Sequence, residues 1–238
     1  MATLYSEIRD DMLGKIEDGT YRDGEILPTE LELAKQYGVS RPTIRQATQQ
    51  LVEEGYLEKR RRRGTMVKAS RIKHTFTSQI ASFDDEMLAN DRMPRTNVIM
   101  LKRMVPPAEV AGGLGLEEAE EAFKLVRLRF ADEVPHEFSE TYIPCSAYPN
   151  LDQEDFTKRR LYDVMRDYGD PVVSAHRTLR VVTSDPVSSK LLELSEGSPL
   201  VVLQSVGHNE QGEPREYTTA TYQGEGNIFE FDVKLKGR

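Results

Sequence analysis

Apolar positions recur along this chain first with the period of a helix and later with that of a strand. Over residues 3–18, Leu4, Ile8, Met12 and Ile16 step by four, the pattern of an amphipathic helix. Thr29 and Glu32 have capping-box spacing, so a second helix is expected to begin at Glu30. Leu31, Leu33 and Ala34 give it an apolar side, and Gly38 supplies its stop. Ser40 and Pro42 suit the start of a third helix, in which Ile44, Ala47 and Leu51 share one side. Gly55 closes that helix. Tyr56-Leu57 and Thr65-Met66-Val67 then read as two short strands, with the basic residues 59–63 turning between them.

The pattern changes beyond residue 68. Residues 69–76 are polar and basic and read as a linker. Residues 82–86 open a short helix with Ser82 at its start. Strands are expected over residues 96–104, 123–130, 137–143, 172–182, 200–207, 215–222 and 228–233, and helices over 161–168 and near 188–194. Consecutive strands joined by tight turns, such as that at residues 209–212, favour a largely antiparallel sheet with helices beside it. The expected organisation is an all-helical and hairpin unit over residues 1–68, the linker, and an α+β domain over residues 77–238.

Charge sharpens this division. The 238-residue chain is acidic, with a net charge of −8. Residues 1–75 hold 14 Lys/Arg against 12 Asp/Glu, and residues 41–75 alone hold 10 against 3. Positive charge is thus confined to the third helix, the hairpin and the segment after it, which is the footprint expected of phosphate binding. Three helices followed by a basic hairpin is the order of parts in a winged helix-turn-helix. Residues near the start of its last helix reach base edges and phosphates, so Ser40, Arg41, Thr43, Arg45 and Gln46 are the candidates there. Arg60, Arg61, Arg62, Arg63 and Gly64 are the candidates in the wing. A solvated surface helix and a solvated charge run are the plain alternatives.

The stretch resembles the DNA-binding domain of the GntR family of bacterial transcription regulators. The resemblance rests on Leu27-Pro28-Thr29-Glu30, Leu33-Ala34, Gly38-Val39-Ser40-Arg41, Thr43-Ile44-Arg45, Glu54-Gly55-Tyr56-Leu57 and Gly64-Thr65. It implies that Arg41, Thr43 and Arg45 meet the major groove and backbone, and that the wing tip meets the minor groove. Two positions depart from the family. Leu31 stands where many members carry a DNA-contacting arginine, and Arg62 where many have a wing glycine.

The second half is similar to the UTRA effector domain of the HutC-like subgroup. Lys124, Arg127, Arg129, Pro135, Glu140-Thr141-Tyr142-Ile143-Pro144, Leu191-Leu192, Gly197-Ser198-Pro199-Leu200, Tyr222 and Phe229 carry this likeness. It implies a chorismate-lyase-like fold, a homodimer on a palindromic double-stranded DNA operator, and a small-molecule effector such as a sugar phosphate, amino sugar or carboxylate. Arg127 and Arg129, two apart in a strand, point to one face. Two guanidinium groups there suit a phosphate or carboxylate, and salt bridges to neighbouring acidic strands are the alternative. Ser82 caps its helix or adds to an anion site, with Phe83 beside it. The resemblance adds Glu140, Arg160 and Tyr222 to the effector-binding set. For Glu140 the alternative is a cross-strand partner of an arginine, and for Tyr222 a buried strand tyrosine.

Other classes find little support. No P-loop, dinucleotide fingerprint, HExxH or GxSxG occurs. The four histidines are scattered without ligand spacing, and the single cysteine, Cys145, permits no internal disulfide. No cofactor or metal is expected. No apolar run reaches membrane-spanning length, and a cytoplasmic repressor that is not an enzyme is the expectation. The alternatives are a chorismate-lyase-like enzyme fused to a DNA-binding module, and a DNA-binding protein whose second domain is a ligand-free dimerisation scaffold.

Overall fold

The computed structural model describes residues 4–17, 20–22, 24–60, 63–67, 72–75, 79–224 and 226–231. The chain forms two units, residues 1–72 and 73–238. The first holds α1 (Leu4–Glu17), α2 (Glu30–Tyr37), α3 (Arg41–Glu53), β1 (Leu57–Arg60) and β2 (Gly64–Val67). The capping box forms as expected: Glu32 N donates to Thr29 Oγ1 at 3.3 Å and Thr29 N donates to Glu32 Oε2 at 2.8 Å. Gly38 stops α2 in the left-handed region at φ 66°, where glycine meets no Cβ penalty. Ser40 caps α3 by accepting from Thr43 N at 3.4 Å.

The core of this unit brings together Ile8, Met12, Ile16, Leu33, Ile44, Leu51, Leu57 and Val67. Two expectations fail here. Leu4 and Leu31 are exposed rather than inward-facing. In α2 the buried apolar residues are Leu33 and Ala34 alone. The wing also differs from its expected outline. Lys59 and Arg60 continue β1, because Arg60 pairs with Gly64 across the hairpin, and the turn tightens to an Arg63 N to Arg60 O bond.

The second unit contains one six-stranded antiparallel sheet, built from β4 (Pro94–Met104), β5 (Ala122–Ala131), β6 (Val134–Pro144), β7 (Ser174–Thr183), β8 (Pro199–His208) and β9 (Pro214–Gln223). Its order is β4-β5-β6-β9-β8-β7. A two-stranded ribbon pairs β3 (Ile72–His74) with β10 (Asn227–Phe229). Residues 72–74, expected to be linker, are therefore a strand, too short and too polar to show a period. Helices α4 (Phe83–Ala89), α5 (Ala108–Leu114), α6 (Leu161–Asp167) and α7 (Pro186–Leu191) complete the unit. Helix α5 was not expected. It contains Gly112 and Gly113 and lacks a side-chain cap, so no helical signal is visible in its sequence. Its reason is packing: a Cβ on Gly113 would lie 2.6 Å from the Tyr217 ring.

Alternation gives the sheet two faces. One carries Phe123, Leu125 and Ile143, and packs on Leu161, Val164 and Met165 of α6. The other carries Ala122, Tyr142 and Tyr217 against Val110 and Leu114 of α5. Among the described residues no helix is long and apolar enough to cross a membrane, and no His/Cys/Asp/Glu group is arranged to hold a metal.

His136 is buried, with its Nε2 lacking a hydrogen-bond partner. Burial pushes its pKa down to about 3, and the neighbouring His74 adds to the effect. An unfolded histidine titrates near about 6.5. The folded state therefore keeps its full stability above that pH and loses it as pH falls toward 3, since unfolding takes up a proton. Urea denaturation at pH 7 and pH 5 should show wild type losing about 2 kcal/mol more than His136→Phe over this interval. Equal losses would show that this ring is charged in the fold.

Candidate functional site

The DNA-facing candidates group at the start of α3. Arg41 and Arg45 are exposed, as is Gln46. Both arginines meet one carboxylate. Arg45 donates through Nε and Nη2 to Glu30 at 3.0 and 2.8 Å, and Arg41 Nη2 lies 3.8 Å from it. The hydrogen bond from Arg45 holds the Glu30 carboxyl below its usual range. Glu30 thus sets the direction of both guanidinium groups, a role the sequence reading did not assign. The Ser40 and Thr43 hydroxyls share a 2.8 Å hydrogen bond. In the wing, Arg60 pairs with Glu58 at 3.3 Å, while Arg63 and Gly64 are exposed. Arg61 and Arg62 lie outside the described residues. The surface combines an exposed basic helix start with a basic hairpin, the parts that contact phosphates and groove edges.

The effector candidates belong to the second unit. A cavity of about 230 Å³ lies against the sheet face that carries Arg127 and Arg129, and Ser82, Phe83, Arg160 and Tyr222 also line it. Arg127 is 5% exposed. Its Nη2 donates to Thr141 Oγ1 at 3.4 Å, and its Nε has no hydrogen-bond partner. Burial, and then the charge of Arg129, push its pKa down to about 9. Arg129 lies with its guanidinium carbon 5.2 Å from the centre of the Phe83 ring, and its Nε likewise lacks a hydrogen bond.

The counter-charges are not where the sequence reading placed them. Glu140 pairs across the strands with Val126, and so faces away from the cavity. There it meets Lys124 Nζ at 2.6 Å. Glu140 is therefore corrected from effector contact to ion pair on the opposite face. The cavity's acid on that strand is Glu137, directly across from Arg129 and 3.8 Å from its Nε. Burial pushes the Glu137 carboxyl up, but the two arginines and the Tyr222 hydroxyl outweigh it and hold it low. A second buried acid, Glu216, accepts from the Tyr162 hydroxyl at 2.7 Å, and burial raises its pKa. Arg177 lines the same cavity and donates to Ser205 Oγ at 3.3 Å. From these strands, three guanidinium groups and two carboxylates thus face the cavity, and Asp84 and Glu86 of α4 add two more acids to its wall.

Ser82 takes the capping role expected of it, and Arg160 is held by acids of the same helix. Ser82 caps α4, whose first turn carries Asp84, Asp85 and Glu86. Those acids already complement the helix start. Arg160 is held by two of them, at 2.6 Å from Asp85 and 3.2 Å from Asp84. Sequence reasoning missed Glu137, Tyr162, Arg177 and Glu216. The tight turn at residues 131–134 alone would set His136 opposite Arg129, and a bulge between Arg129 and Phe130 brings Glu137 there instead.

Residues 4–67 match the family described as bacterial regulatory proteins, gntR family, and residues 89–226 match the UTRA domain. The HTH-type transcriptional repressor NagR of Bacillus subtilis (strain 168) is 26% identical over 227 residues, covering 95% of this chain and 93% of that protein. The mannosyl-D-glycerate transport/metabolism system repressor MngR of Escherichia coli (strain K12) is 29% identical, over 98% of this chain and 97% of its own. A probable fructoselysine utilization operon transcriptional repressor of the same organism is 29% identical, over 89% and 86%. The crystal structure of PhnF from Mycobacterium smegmatis has the same fold, with a TM-score of 0.76 at 24% identity over 96% of this chain and all of that one. The first three of these are transcriptional repressors, and the enzyme alternative falls with them. A winged helix-turn-helix with an exposed basic face, followed by a sheet that buries arginines in a cavity, places this chain in the GntR family as a HutC-type transcriptional repressor whose second half is a UTRA domain.

Proposed function

We propose that the protein binds a palindromic DNA operator as a cytoplasmic homodimer and that a small anionic metabolite, seated over Arg127 and Arg129, is its effector. The observation that carries this reading is the unbalanced charge of the cavity. Seven basic residues line it, Arg127, Arg129 and Arg177 on the sheet among them, against the four acids Asp84, Glu86, Glu137 and Glu216. A charge this deeply buried is costly unless paired, and a ligand-free scaffold gives no reason to keep it. A phosphate or carboxylate accepts two parallel hydrogen bonds from a guanidinium fork. Two relatives are repressors of mannosyl-D-glycerate and fructoselysine systems, which supports a sugar-derived compound. Glu137 and Glu216 would then accept from its hydroxyl or amino groups. Effector binding shifts the population toward the arrangement it prefers, and DNA affinity follows that shift.

A thermal-shift screen of sugar phosphates, amino sugars, amino acids and small carboxylates tests the effector reading. A ligand of the folded state raises the melting temperature by mass action. The expected outcome is a stabilising compound whose effect disappears in the Arg127→Ala, Arg129→Ala double variant. A compound whose effect survives the double change would move the site elsewhere.

On the DNA side, Arg45→Ala should weaken specific binding by about 1–3 kcal/mol if Arg45 reads a base. Neutralising Arg61 and Arg63 should weaken binding to every sequence and flatten its dependence on salt concentration. Unchanged operator affinity and salt slope in both variants would overturn the docking.

A further inference from the structure

The strand that begins the second unit is held by the helix that lines the cavity. Asn90, at the C-terminal end of α4, accepts from Lys73 N at 2.8 Å and donates from Nδ2 to Lys73 O at 3.0 Å. One turn earlier, Glu86 accepts from Thr75 N at 2.9 Å, and its other oxygen lies 3.1 Å from His74 Nδ1. His74 is fully buried. Its Nε2 lies 2.7 Å from Asn227 Oδ1 on β10, and its ring stacks between those of His136 and Phe229 and meets the edge of Tyr222.

Glu86 is therefore shared between two places. It is 4% exposed, it borders the cavity together with Phe83 and Tyr222, and it grips both residues that follow Lys73. A change on the cavity side of this carboxylate therefore acts directly on the hydrogen bonds that hold β3. Only residues 68–71 separate β2 from β3 in the chain.

We propose that Glu86 is the positioning residue through which effector occupancy is passed to the DNA-binding unit. It sets the position of β3 through His74 and Thr75, with Asn90 as its second hold. A ligand that engages the α4 side of the cavity alters that hold, and the displacement runs along the chain into the winged helix-turn-helix. This inference takes from the proposed function only that the cavity is the effector site.

The test needs no effector, so its failure and the failure of the effector reading are separate results. Full-length wild type, Glu86→Gln, Asn90→Ala and the control Glu140→Gln are compared by two measurements. One is peptide-resolved amide hydrogen exchange. The other is affinity for a DNA duplex that the wild-type protein selects from a random-sequence pool. Glu86→Gln and Asn90→Ala should each speed exchange over residues 72–75 by about tenfold or more while α2 and α3 exchange as in wild type. Each should also change duplex affinity by about threefold or more. Glu140→Gln should change neither. Faster exchange with unchanged affinity in both variants would show that the hold is local, and would overturn the proposal. Unchanged exchange would overturn it as well. Should Glu86→Gln fail to fold, Asn90→Ala decides alone, because it leaves the buried carboxylate in place.

Discussion

A buried guanidinium must be balanced, and the second unit is arranged around that requirement. Arg127 is enclosed by the sheet and its covering helix, where loss of water disfavours the charged form. Its pKa falls to about 9, which still leaves it charged near neutral pH. What keeps it there is a pair of equally buried acids, Glu137 and Glu216, each satisfied by a tyrosine hydroxyl. The acids attract the arginines but do not bind all of their donors, and the Nε atoms of Arg127 and Arg129 remain without hydrogen bonds. A fully neutral site would have no need of an anion, and an unpaired site would cost too much to fold. The intermediate state is what suits a sensor.

The DNA-binding unit shows the same logic at its surface. Arg41 and Arg45 share Glu30, so their guanidinium groups are oriented before any DNA arrives. Both remain largely exposed, where an ion pair contributes little stability, so in the proposed docking DNA phosphates would compete for it at small cost. The net charge of the whole chain is negative, so the local basic face and not the overall charge decides which surface meets DNA.

Much of this was legible in the residues. Capping signals at Thr29 and Ser40 and the stop at Gly38 set the helices of the first unit. Alternation set all six long strands to within about three residues, and placed Arg127 and Arg129 on one face. The failures have physical causes. Glu140 was chosen by its neighbours in sequence, but facing is decided by register, and Glu137 is the residue opposite Arg129. Helix α5 exists because Gly113 lets it approach Tyr217, a contact distant in sequence. Strand β3 is three residues long and depends on α4 and β10 for its hydrogen bonds. Glu216 and Tyr162 meet 54 positions apart, and no local spacing announces that pairing.

The central claim is that Arg127 and Arg129 hold the effector. The most direct measurement is nuclear magnetic resonance of the arginine Nε–Hε groups during titration with a compound that stabilises the protein. The Nε–H groups of Arg127 and Arg129 make no hydrogen bond in the protein. Both resonances should therefore shift together as the site fills, to an extent that tracks occupancy, while that of Arg215, already bound to Asp170, stays in place. A stabilising compound that leaves the Arg127 and Arg129 resonances unmoved would contradict the account.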